Sequence, residues 1–119
     1  MKILFTTDGD TLESKIAKRF GEAKFYLVYD METKGITAQI NEGHDDNHSS
    51  LIKLAEEGVI TFIVGNCGPN AFKVLKEHNA RLFLARMMTA KDALEKFNNN
   101  ELKELLEPTL KQTIDKHRA

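Results

Sequence analysis

The chain has 119 residues, a formal net charge of -1, 29% charged residues and a single cysteine, Cys67. It is long enough to bury one core without disulfides or a structural metal, and too nearly neutral to hold nucleic acid or an anionic membrane through a global field. One cysteine excludes an internal disulfide and a cysteine-only metal cage, and no apolar run has signal-peptide or membrane-spanning character, so the expectation is a cytoplasmic protein in a reducing compartment.

Residues 2–7 carry the apolar centre Ile3, Leu4 and Phe5 and read as a strand, ended by the turn signal Asp8-Gly9-Asp10. Asp10 with Glu13, or Ser14, then caps a short expected helix that turns Ile16, Ala17 and Phe20 to the core and stops at Gly21. Residues 24–30 place apolar side chains on both faces and read as a covered strand. Gly35 closes a short connection, and residues 36–40 alternate with period two, which predicts a half-buried edge strand antiparallel to the one before it. Residues 41–50 form the most polar stretch and read as a loop. Leu51, Ile52, Leu54 and Ala55 then mark one side of a helix capped by Ser49 or Ser50 and stopped at Gly58.

Residues 59–64 are almost wholly apolar and β-branched, the pattern of a central strand covered on both faces. Gly65-Asn66-Cys67-Gly68-Pro69-Asn70 follows, with glycines suited to a sharp turn and close approach to a bound group, and a proline suited to the first position of a helix. That helix buries Phe72 and Leu75 and ends near Asn79, and residues 81–85 read as the next strand. A strand, helix and strand of this length form a right-handed parallel crossover, which puts residues 66–70 at the carboxyl edge of the sheet, where open α/β sheets bind ligands and a helix start favours an anion. Arg86-Met87-Met88 is then a loop, and Thr89 with Asp92 caps a helix burying Ala93, Leu94 and Phe97. Leu102, Leu106, Leu110 and Ile114 fall four apart and predict an amphipathic helical tail with Pro108 at its start or kink. The expected whole is a three-layer α/β/α domain around a mixed sheet, with the tail at 106–119 set apart from a domain at 1–105.

Two segments carry a family resemblance. The first runs from Asp8-Gly9-Asp10 through Phe20-Gly21 into the strand Phe25-Tyr26-Leu27-Val28-Tyr29; the second is Val64-Gly65-Asn66-Cys67-Gly68-Pro69-Asn70-Ala71-Phe72, with Ala93-Leu94-Glu95-Lys96-Phe97 later. Together they resemble the dinitrogenase iron–molybdenum cofactor biosynthesis family, which includes NifX-like proteins and the C-terminal domain of NifB. The resemblance implies a ribonuclease H-like fold and a non-enzymatic carrier that binds an iron–sulfur or iron–molybdenum cofactor precursor and passes it between assembly proteins. Two positions depart from the family pattern: Arg19 stands where histidine is frequent, and Arg86-Met87-Met88 stands where glycines are frequent.

The residues that would serve such a ligand are Arg19, Gly65, Asn66, Cys67, Gly68, Asn70 and Arg86. Cys67, beside a helix start, is placed either to ligate iron as a thiolate or to fill space as a small buried hydrophobe. His44 and His48, with Asp45 and Asp46 between them, are either metal ligands or part of a solvated loop. Arg19 and Arg86 either contact an anionic ligand or pair at the surface. Met87 and Met88 either line a pocket or pack in the core, and His78 and His117 near helix ends are explained by the helix dipole. Two other functions remain open: a metal-dependent hydrolase using Asp8, Asp10 and Asp30, and an interaction module working through the charged tail. The expected assembly is a monomer or weak dimer.

Overall fold

A computed structural model describes residues 1–41 and 49–110. The elements run β1 (Lys2–Thr7), β2 (Phe25–Asp30), β3 (Ile36–Ile40), α1 (Ser49–Glu56), β4 (Thr61–Val64), α2 (Pro69–Glu77), β5 (Arg81–Leu84), α3 (Ala90–Asn98) and β6 (Lys103–Glu104). The six strands make one mixed sheet in the order β3-β2-β1-β4-β5-β6. β1, β4 and β5 are parallel, whereas β2, β3 and β6 run antiparallel to their neighbours. The parallel strands therefore deliver their carboxyl ends to one edge. Among the described residues no helix is long and apolar enough to cross a membrane.

Alternation along the central strands divides the core in two. Leu4, Phe62 and Leu82 face the layer that contains Leu51 of α1 and Phe72 and Leu75 of α2. Ile3, Phe5, Ile63 and Phe83 face the other way, against Ala90 and Ala93 of α3. β4 is buried at all four positions, as its uninterrupted apolarity requires, but it begins at Thr61: Ile60 is 41% exposed, although its carbonyl still accepts from Arg81 N–H at 2.7 Å. β3 lies at the edge, with Ile36 and Ile40 exposed.

α3 starts as its cap signal predicts, with the Thr89 hydroxyl accepting from Asp92 N–H at 3.1 Å. Thr89→Ala should cost about 1 kcal/mol of folding free energy in a urea denaturation, because it orphans a helix-start donor. An unchanged midpoint would show that water replaces the hydroxyl at no cost.

Among the described residues, two segments expected to be helical are not. The 10–21 segment is an extended loop with only a single 3-10 turn at Phe20–Glu22. Its backbone groups are taken elsewhere: Asp8 N–H donates to Lys15 O, Ala17 N–H to Thr6 O, Ile16 N–H to Met88 O, and Ala90 N–H to Ser14 O, all at 2.9 Å. Ile16 packs in one half of the core and Phe20 in the other. Residues that share a face on a helical projection are here split across the sheet.

The described part of the tail is likewise not helical. Residues 103–104 form β6, which pairs with β5, and Leu105 rather than Leu106 is the buried residue; Leu106 is 81% exposed. Leu105 N–H donates to Leu82 O at 2.7 Å, and the Arg81 guanidinium grips Glu104 with two bonds of 3.1 and 2.7 Å. The open side of β5 offers ladder partners that outcompete a marginal helix. Ile114 and His117 lie outside the described residues, as do His44, Asp45, Asp46 and His48.

Candidate functional site

Asn66 is the joint of the carboxyl edge. Its N–H donates to Lys18 O at 2.9 Å and its carbonyl accepts from Phe20 N–H at 2.7 Å, a parallel bridge that fastens Arg19 alongside it. Its side-chain Oδ1 accepts from Arg86 Nε at 3.1 Å. One residue after β4 thus gathers the loop after β1 and the loop after β5. Arg86 is exposed, and Arg19 remains accessible with only a 3.4 Å contact to Glu22, itself at the surface. Two guanidiniums therefore stand at the carboxyl ends of the parallel strands, and among the described residues their acidic partner is Glu22, on Arg19.

Gly65 is required for a reason the sequence does not disclose. A Cβ there would collide with the Ala17 carbonyl oxygen and stand 2.7 Å from that of Lys18. The room it leaves is filled by the chain itself rather than by a ligand. Gly68 precedes α2 with φ -81° and ψ 171°, a conformation open to any residue, and no side chain caps the helix start. Pro69 occupies the first turn and Asn70 is exposed there. The donors at the start of α2 are the kind that receive an anion.

Cys67 differs from its neighbours. It is fully buried, packed with Phe72 and Leu75, and burial pushes its thiol from an ordinary value of 9.0 up to about 12. Of the two readings of Cys67, these surroundings favour the small buried hydrophobe: desolvation raises the thiol, and among the described residues its sulfur has a polar contact with Gly68 O at 3.6 Å. Because the folded-state value is raised, its contribution to stability is full below the ordinary value and is lost as the pH climbs through about 12.

Thr109 is the residue missed by the sequence reading. Its hydroxyl accepts from Cys67 N–H at 2.8 Å, and Thr109 and Leu110 N–H both donate to Cys67 O, at 3.0 and 3.1 Å. The contact spans 42 residues, and no local pattern signals it.

Of the remaining candidates, Met87 takes φ 58° and is 98% exposed, whereas Met88 packs against the α3 half of the core. His78 donates from Nδ1 to Val74 O at 2.9 Å at the end of α2. The three aspartates do not converge. Asp8 and Asp10 follow the carboxyl end of β1, but Asp30 pairs with Lys2 at the opposite end, where the Glu32 and Thr33 N–H groups hold its carboxyl below the usual range. Among the described residues no three His, Cys, Asp or Glu side chains are grouped to hold a metal ion.

Several solved structures share this fold. The apo form of the orange protein from Desulfovibrio gigas is 23% identical, with 92% of this chain and 96% of that chain covered and a TM-score of 0.81. A Thermotoga protein provisionally named NifB is 25% identical, with 96% and 98% covered and a TM-score of 0.79. A Methanocaldococcus jannaschii protein provisionally named a dinitrogenase is 19% identical, with 91% and 97% covered and a TM-score of 0.70. No curated protein matches. The family model described as dinitrogenase iron-molybdenum cofactor matches residues 1–100, which include every element up to α3 and the whole Arg19, Asn66 and Arg86 cluster. The chain belongs to that family.

Proposed function

We propose that the protein is a non-catalytic carrier of an anionic metal–sulfur cofactor or its precursor, of iron–sulfur or iron–molybdenum type, which it passes to cofactor-assembly proteins. The cargo sits at the carboxyl edge of the sheet, held by Arg19 and Arg86 and by donors of the 66–70 turn. The observation that carries this reading is Asn66, which draws both arginine loops to the uncapped start of α2. Family membership and the separation of Asp30 from Asp8 and Asp10 favour a carrier over a two-metal hydrolase. The reading leaves Cys67 out of the ligand set, because its sulfur is fully buried.

The test is anaerobic reconstitution with ferrous iron, sulfide and molybdate, followed by metal analysis and visible absorption. Removing both charges in Arg19→Gln/Arg86→Gln should weaken retention by about 100-fold, roughly a factor of ten for each charge-assisted contact. Cys67→Ser should retain cargo like the wild type. Retention that ignores both arginines, or that vanishes with Cys67 alone, would overturn the assignment.

A further inference from the structure

We propose that residues 106–110 are a releasable strap that competes with the cargo for the turn before α2, an inference that rests on reading that turn as the ligand edge. Among the described residues, every hydrogen bond made by 106–110 ends on Cys67. The Thr109 hydroxyl accepts from Cys67 N–H at 2.8 Å and lies 3.4 Å from its carbonyl, which also receives Thr109 and Leu110 N–H.

Among the described residues, the strap has little hold beyond this one. Among the described residues the last buried side chain is Leu105; Leu106 and Glu107 are exposed, and residues 108–110 are half-buried. Upstream the chain is pinned by the Leu105 bond to Leu82 and the Arg81–Glu104 pair, so release of 106–110 leaves β6 in place. A segment with few apolar contacts and a single hydrogen-bonding partner opens at a small fraction of the global unfolding cost.

Closure has two effects. It spends the Cys67 N–H, one of the donors at the turn, on an oxygen belonging to the chain. It also occupies the Cys67 carbonyl, which receives the Thr109 and Leu110 N–H groups. Thr109 thus acts as an internal stand-in for a ligand acceptor, and bound cargo and closed strap exclude each other.

The full-length protein tests this in two steps. First, deuterium labelling of the residue 109 and Leu110 amides, which donate to Cys67 O, reads strap opening. Thr109→Val should label about tenfold faster than wild type, the factor that one lost hydrogen bond supplies. Thr109→Ser should restore the slow rate, and the three denaturation midpoints, compared in urea, identify any change due to global unfolding. Equal labelling of Val and wild type, or acceleration explained by a lowered midpoint, would sink the strap. Second, hydrogen exchange at the Thr109 and Leu110 amides should lose protection after loading with iron, sulfide and molybdate, and Thr109→Val should load at lower concentration. Unchanged protection in loaded protein would refute the competition. If neither protein loads while labelling still separates them, the carrier reading and the competition fall together and the releasable strap stands.

Discussion

Gly65→Ala is expected to remove about 3 kcal/mol of folding stability and to abolish cargo retention at the same time. The new methyl group meets backbone oxygens of Ala17 and Lys18, which cannot rotate away as a side chain would. Relief requires the 15–19 loop to lift from the end of β4. That movement breaks the Asn66 N–H bond to Lys18 O at 2.9 Å and the Phe20 N–H bond to Asn66 O at 2.7 Å. Arg19 then no longer shares Asn66 with Arg86, so a stability defect becomes a binding defect. Urea denaturation and reconstitution of the same preparation measure both. A variant with wild-type stability would show that the loop yields freely and that the joint at Asn66 is not rigid.

Phe62→Ala should cost about 4 kcal/mol, the range for deleting a buried aromatic ring. Phe62 is fully buried on β4, with Leu4 and Leu82 as its cross-strand neighbours, and belongs to the half of the core that includes Leu75. Both flanking strands are themselves covered, so little can collapse into the space left behind. For a domain of this size that is a large share of the total stability. Ile40→Ala is the contrast: at 67% exposed on the edge strand it should change stability by less than about 0.5 kcal/mol. Comparable losses at the two positions would mean that the edge strand is covered in solution.

The elements legible in the sequence are those whose signals are local. β1, β2, β3 and β5 follow from apolar pattern and turn residues, α2 from Pro69, and α3 from the Thr89–Asp92 cap, which the structure reproduces as a hydrogen bond. The misread segments answer to distant partners. Residues 10–21 have a helical periodicity at Ile16, Ala17 and Phe20, yet their backbone is claimed by β1, by Asn66 and by the approach to α3. The tail has leucines four apart, but the vacant edge of β5 selects Leu105 in place of that stripe. At the site, the place of the turn was readable from glycines, proline and topology, whereas the meeting of the Arg19 and Arg86 segments at Asn66 was not, because both contacts are long-range. The environment of Cys67 was not, because its cover comes from Thr109 and its burial from packing against α2.

The place of β1 also bears on how the molecule assembles. On one side it meets β2, the next strand in the chain, and β2 in turn meets β3 after a short connection; on the other it meets β4, with Ile3 beside Thr61. Closing a short loop costs less entropy than closing a long one, so the three-strand meander at the N-terminal end is the cheaper nucleus, and the parallel half docks onto a strand already paired. During synthesis the first strand waits with one side bare until β4 has emerged. In that interval the bare side is the chain's main hazard for pairing with the wrong neighbour.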